Sequence, residues 1–507
     1  MRRILSVIFV LTMVMGATGL FAAQADWKGY FITSFRNIST QADGADNTLT
    51  TRYAFQKLEL YPTFKLSENV ALTAGFYSQN YWGAGRLYGI GDTGLIKEDT
   101  GGFKTGFALP VSSEPSTTAM GTLNTTLGVS AAFATMKFQV GGGELGIDVG
   151  RRKNPHWGTG AFLGSAFTPD RIFMTYKTSS DMGMLIPFLV YEERNSQQFT
   201  GIDSELDTYR NMSQALIGLI VYSPGSRVWG LVINPNFVGE GYKLKNYYES
   251  TKSTVFWAID LYVEEKVKMG GLNITPIFEA VLGFGNALNK STKFDADLPL
   301  GGGATLYPAD YDPNVDLKID TKNFLLKVKV EMPKMITITP EFSLSLAPSK
   351  TTSSEIGFNA WNPNAFCGGL YTIGNIYGAG HSMMGYTSVV AAADPGAMAP
   401  EVELPSLYYG KLEVEFDMLG EMVKGLSATA AVIYAGVFGE KKMGGVAVAD
   451  SDKSIITEID LGVSYKMDSF TTISADFGYA TWGENSVYSA AAKRTDMFLG
   501  ADLEIKF

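Results

Sequence analysis

The chain is poor in the residues that most chemistry needs. Cys367 is its single cysteine, so no intrachain disulfide forms and no cysteine cluster can hold zinc or an iron-sulfur centre. His156 and His381 are its only histidines, too few for a histidine-based metal site or a catalytic triad. Charged residues make up only 18 %, below the roughly 25 % usual for soluble domains. With a formal net charge of -10 and no basic block, the chain has no footprint for nucleic acid. After the first 25 positions no apolar run approaches the about 20 residues of a helical span, which excludes a bundle of transmembrane helices. No proline-rich or charge-block linker divides the 507 residues, so one large unit is expected. What is abundant is glycine, 56 residues, and aromatic side chains at 12 %, a content that excludes disorder.

Arg2 and Arg3 precede an apolar run from Ile4 to Phe21, and Ala23-Gln24-Ala25 puts small residues at both cleavage-determining positions. This three-part order is that of a secretory signal peptide, expected over 1–25 with the cut after Ala25, leaving 26–507 as one domain. An uncleaved anchor usually lacks the small-residue site, and no cysteine follows the run to carry a lipid.

Past residue 26 the dominant period is two. In Lys411 to Asp417, Leu412, Val414 and Phe416 share one face while Lys411, Glu413, Glu415 and Asp417 share the other. Alternation at 180° per residue is a strand signal, and here one side suits hydrocarbon and the other water. Rising strands are expected near 27 to 37, 69 to 82, 144 to 152, 183 to 194, 226 to 238, 271 to 285, 335 to 347, 424 to 438 and 470 to 482. Descending strands are expected near 50 to 65, 123 to 139, 170 to 178, 210 to 222, 253 to 267, 320 to 332, 406 to 418, 454 to 467 and 495 to 507. These are about eighteen strands, mostly longer than the 5 or 6 residues of an average soluble strand and long enough for a tilted membrane crossing of about 9 to 11.

The connections alternate between two classes. Short turns such as Ser67-Glu68, Pro224-Gly225, Pro333-Lys334 and Asp468-Ser469 alternate with longer stretches, of which 83 to 122, 286 to 319 and 348 to 405 are the longest. The order predicts an all-β fold: a closed antiparallel transmembrane β-barrel of about 18 strands, with short periplasmic turns and long extracellular loops. Closure is required because an open edge in hydrocarbon leaves each unpaired backbone group at a cost of several kcal/mol.

The last strand ends Asp502-Leu503-Glu504-Ile505-Lys506-Phe507. Leu503, Ile505 and the terminal Phe507 resemble the C-terminal signal by which bacterial outer-membrane proteins are handed to their assembly machinery, although Asp502 stands where that signal often has glycine. In strand number, loop order and length the chain resembles the 18-stranded porins, among them sugar-specific, OprD-like and alginate-export channels. The likeness is architectural and covers nearly all of the mature chain. It implies residence in the outer-membrane lipid and passage of small hydrophilic solutes without a cofactor, and it leaves open whether one protomer or a homotrimer is the working unit.

In general porins the third surface loop folds into the lumen. Its counterpart here opens with Arg151, Arg152 and Lys153 and continues through His156, above Asp148, which shares a face with Arg152. Opposed charges there would make a pore constriction that filters ions by sign; the alternative is a basic girdle at the headgroups. Trp82, Trp157 and Trp482 each end or follow a rising strand and precede glycine. An interfacial aromatic belt is the simpler reading, because stacking on sugars would require rings inside the lumen.

Alternation also assigns pore-lining positions, among them Asp260, Glu264, Lys327, Lys329, Lys411, Glu413, Glu458, Asp460 and Asp476. Acids outnumber bases on the lumen side, which predicts weak cation preference; the bland alternative is that these groups pair across strands and fill a wet interior. His381-Ser382 reads as a loop dipeptide, not a catalytic pair, and Gly158 to Gly164 lacks nucleotide-loop spacing. The leading reading is therefore a passive channel and not an enzyme. The alternative is a surface-binding protein or adhesin that displays long loops on a barrel, and a wall-mounted hydrolase is the weakest of the three.

Overall fold

The computed structural model describes residues 25–42, 49–82, 125–152, 157–159, 170–193, 212–239, 243–244, 248–249, 252–288, 293–294, 316–346, 355–358, 406–438, 442–443, 446–447, 454–482 and 494–507. The expected signal peptide, apart from Ala25, lies outside them. Eighteen strands form one antiparallel wall. They are β1 (Ala25–Ala42), β2 (Leu49–Lys65), β3 (Val70–Trp82), β4 (Thr125–Val140), β5 (Gly143–Arg151), β6 (Asp170–Ser180), β7 (Gly183–Glu193), β8 (Met212–Ser223) and β9 (Arg227–Val238). The wall continues with β10 (Thr254–Glu265), β11 (Leu272–Leu288), β12 (Asp316–Met332), β13 (Ile336–Ser345), β14 (Ser406–Glu415), β15 (Leu426–Phe438), β16 (Ser454–Lys466), β17 (Thr471–Trp482) and β18 (Arg494–Lys506).

Each strand pairs with its sequence neighbours, and β18 returns to β1 from Tyr30↔Lys506 to Ala42↔Arg494, so the barrel is closed. Phe507 extends that seam: its N–H donates to the Gly29 carbonyl at 3.0 Å and its carbonyl accepts from the Gly29 N–H at 2.7 Å. Closure leaves no open edge in the wall, as a sheet in hydrocarbon requires.

Burial is inverted relative to a soluble protein. Large apolar side chains such as Leu72, Ile172, Leu231, Leu282, Phe342 and Leu461 face outward and are exposed, while Asn234, Asp260, Glu279, Asn323, Asp460 and Asp496 face inward and are buried. Outward aromatics gather near both ends of the strands: Tyr191, Phe237, Trp257, Phe284 and Tyr479 at one, Trp27, Phe138, Tyr465 and Phe470 at the other. This is the distribution of a wall whose outside meets hydrocarbon and whose rims meet headgroups.

Two features depart from plain alternation. The connection between β14 and β15 contains a short helix, α1 (Met418–Met422), tied back by a Lys334–Glu421 ion pair of 3.5 Å to the β12–β13 turn. A short strand, β19 (Glu355–Phe358), runs parallel to the start of β12 from Asp316↔Glu355 to Ile319↔Phe358. The reason is geometric: β13 stops at Ser345, opposite Asn323, while β12 extends back to Asp316, and the returning chain covers the edge that β13 leaves.

Candidate functional site: the lumen wall and the strap across it

The inward faces divide into sectors by charge. On β12, β13 and β14, Lys327, Glu341 and Lys411 stand in one row across the strands. Lys327 Nζ is 3.4 Å and Lys411 Nζ 3.7 Å from Glu341 Oε2, and Lys411 is also 3.2 Å from Glu413. Tyr409 donates its hydroxyl to Glu341, and Lys329 pairs with Glu331 at 2.8 Å. On β16, β17 and β18 the buried charged groups are Glu458, Asp460, Asp476 and Asp496. Glu458 and Asp496 both stand opposite Ala480, Asp460 stands opposite Gly478, and Asp476 lies between Gly462 and Gly500.

The third sector carries arginines. Arg152, just past the end of β5, pairs with Asp148, and its guanidinium lies over the rings of Phe133 and Phe173 at 5.4 and 5.6 Å. Asp148 also accepts the Thr135 hydroxyl at 2.6 Å. Arg151 points the other way. Consecutive side chains in a strand alternate faces, so Arg151 shares the outward face with the exposed Val149 and forms a two-pronged bond to Asp170, 3.0 and 3.1 Å. The structure thus brings Asp148 and Arg152 together and separates Arg151 from them; Lys153 and His156 lie outside the described residues.

The connection after β5 enters the lumen at Trp157-Gly158-Thr159. The Trp157 ring packs against the inward Phe188 of β7, centroids 5.6 Å apart, and lies over Gly230 of β9. Thr159 donates both its backbone N–H, at 2.7 Å, and its hydroxyl to Glu279 Oε2 on β11. The expectation that Trp157 joins an interfacial belt is therefore corrected: its partners all belong to the inner face. The side chains of Trp82 and Trp482 lie outside the described residues.

The remaining positions expected to line a pore also fall on the inner face. Asp260 is fully buried, and Glu264 accepts the Tyr262 hydroxyl. Sequence reading passed over one inner pair, Arg171 of β6 with Glu192 of β7 at 3.2 Å, extended by Gln214 donating to Glu192. Alternation from Ile172, which faces out, would have found it. Among the described residues no group of three His, Cys, Asp or Glu side chains is arranged to hold a metal ion.

No family model matches the chain, and no curated protein matches it. Among solved structures it is similar to OccAB1 of Acinetobacter baumannii, with a TM-score of 0.49, 9 % identity, and 95 % of this chain and 97 % of that one covered. It is also similar to OccK5 (OpdH) of Pseudomonas aeruginosa, at a TM-score of 0.48 and 10 % identity, over 95 % of this chain and 98 % of that one. The outer membrane protein OpdK of Pseudomonas aeruginosa gives a TM-score of 0.47 at 10 % identity, over 95 % and 99 %. The fold itself rests on the closed ladder of eighteen strands, an all-β antiparallel barrel.

Proposed function

We propose that the chain is a porin of the bacterial outer membrane, forming a water-filled channel for passive diffusion of small hydrophilic solutes or ions with weak cation preference. The observation that carries this reading is the inverted burial: leucines and aromatics outside, carboxylates, amides and lysines inside, on one closed wall. Eighteen strands enclose a lumen wider than side chains alone fill, unlike barrels of about 8 strands. Asp148 and Arg152, with the strap at Trp157–Thr159, form the constriction in this reading, and Lys153 and His156 belong to the same connection. The strand-joining turns such as 66–69 and 467–470 face the periplasm, and residues 1–25 direct export. Leu503, Ile505 and Phe507, which lie along the seam with β1, serve as the assembly signal.

Planar-bilayer recording of refolded mature protein tests the reading. Discrete conductance steps are expected, with a reversal potential of the cation-favouring sign in a potassium chloride gradient. An electrically silent membrane would remove the channel and favour a barrel that only displays its loops.

A further inference from the structure

We infer that Glu279 positions the strap across the pore and that Gly230 seats it, so that this clasp, more than the girth of the barrel, sets the largest solute that passes. The inference rests on the channel reading above and adds the residues that fix pore width. Three independent fits converge on one tripeptide. Two donors of Thr159 meet a single carboxylate oxygen of Glu279. Gly158 turns the chain in the left-handed region at φ 55°, and a Cβ there would stand 2.5 Å from Glu279 Oε1, so a side chain would displace the acceptor itself. The six-membered edge of Trp157 occupies the space that a Cβ on Gly230 would need, 2.5 Å from Cη2.

The contacts of Trp157–Thr159 come from β7, β9 and β11, whereas the strands on either side in sequence are β5, which ends at Arg151, and β6, which begins at Asp170. Thr159 is therefore held six strands on from β5, about a third of the way round a wall of eighteen. A tripeptide held inside the barrel narrows the lumen, and the hold on Trp157–Thr159 includes two hydrogen bonds to Glu279 and a ring contact with Phe188. Glu279 is thus a positioning residue. It acts on pore width through Thr159, and its loss changes width without needing to change the wall.

The test is single-channel recording with polyethylene glycols of graded size, which reads width independently of charge. Glu279→Ala and Gly230→Ala should each raise conductance by about half or more and admit larger polymers than wild type. Glu279→Gln keeps a carbonyl acceptor for both donors and should restore the wild-type cut-off, while Thr159→Val, which loses one donor of two, should fall between. Should Glu279→Ala fail to form a barrel, Gly230→Ala decides alone, since it dislodges Trp157 from another strand. Wild-type conductance and polymer exclusion in Gly230→Ala and Glu279→Ala would overturn the clasp while leaving the channel standing. A silent wild-type protein would instead overturn the channel reading, and the clasp with it.

Discussion

The wall of β12–β14 and the wall of β16–β18 are built from the same alternating strands and handle charge in opposite ways. In the first, Lys327 and Lys411 meet Glu341 and Glu413 within a few ångströms, two charges of each sign that largely cancel one another's field. In the second, carboxylates face glycine and alanine, and the bases of these strands, Arg494, Lys466 and Lys506, sit only at strand ends. A count of acids and bases over the whole lumen hides this. The inward charges of the first wall are of both signs, whereas the buried charges carried by β16–β18 themselves are all acidic. Cation preference in the proposed channel is therefore expected to respond most to the acids of β16–β18.

The largest effect should come from breaking the paired wall. Lys411 and Glu341 are both less than a tenth exposed, and Lys411 also holds Glu413. Lys411→Met strands Glu413, leaves Glu341 to Lys327 and the Tyr409 hydroxyl, and is expected to lower stability by about 3 kcal/mol. The urea midpoint of the protein refolded in lipid vesicles measures it. Reversal potential should move little; a large shift in selectivity without loss of stability would erase the distinction between the two walls.

The converse experiment works on the acidic wall. Converting Glu458, Asp460, Asp476 and Asp496 to their amides keeps shape and removes same-sign charge. The cation-to-anion permeability ratio should fall several-fold, on the order of 1 kcal/mol, while neutralising Lys327 and Glu341 together should leave it nearly unchanged. Equal responses from the two sets would mean that the lumen averages its charges and that sectors do not matter.

The wall was legible in the sequence because hydrocarbon outside and polar groups inside impose period two on every strand. The expected 183 to 194, 226 to 238 and 454 to 467 became Gly183–Glu193, Arg227–Val238 and Ser454–Lys466. Residues off the wall obey no such rule. Trp157 looked like an interfacial residue because it precedes glycine after a rising strand, yet its place depends on the space at Gly230, 73 positions later, and on Glu279. The pairing of Glu355–Phe358 depends on where β13 stops, which alternation does not encode. Arg151-Arg152-Lys153 shows the reverse error, since a run of like residues was read as one feature although its first two members face opposite ways.

That pair gives a smaller prediction. Arg152→Ala removes the lumen-side cation beside Asp148 and should raise cation preference and alter conductance measurably in the bilayer. Arg151→Ala breaks an outward pair whose Asp170 is 59 % exposed, and such pairs contribute about 0–1 kcal/mol. Its conductance should match wild type; equal electrical effects from both substitutions would show that the faces assigned by alternation do not govern the pore.

The smallest effect lies outside the membrane, at the turn joining the two strands that carry most of the acidic wall. Asp468 Oδ1 accepts the backbone N–H groups of Phe470 and Thr471, each at 2.7 Å, and these bonds hold its carboxyl below the ordinary aspartate range. A carboxylate depressed in the folded state stabilises fully above its unfolded value near 3.9 and loses that contribution as pH falls through the lower folded value. Asp468→Asn retains an acceptor but no charge, so its stability relative to wild type should be slightly reduced at pH 7, and the gap should close as pH falls through the lowered folded value. Asp468→Ala loses the bonds as well and should lie below wild type throughout. Urea midpoints taken across that interval separate the outcomes: a constant gap between wild type and Asp468→Asn would mean that the charge of this turn, unlike the charges of the wall above it, contributes nothing.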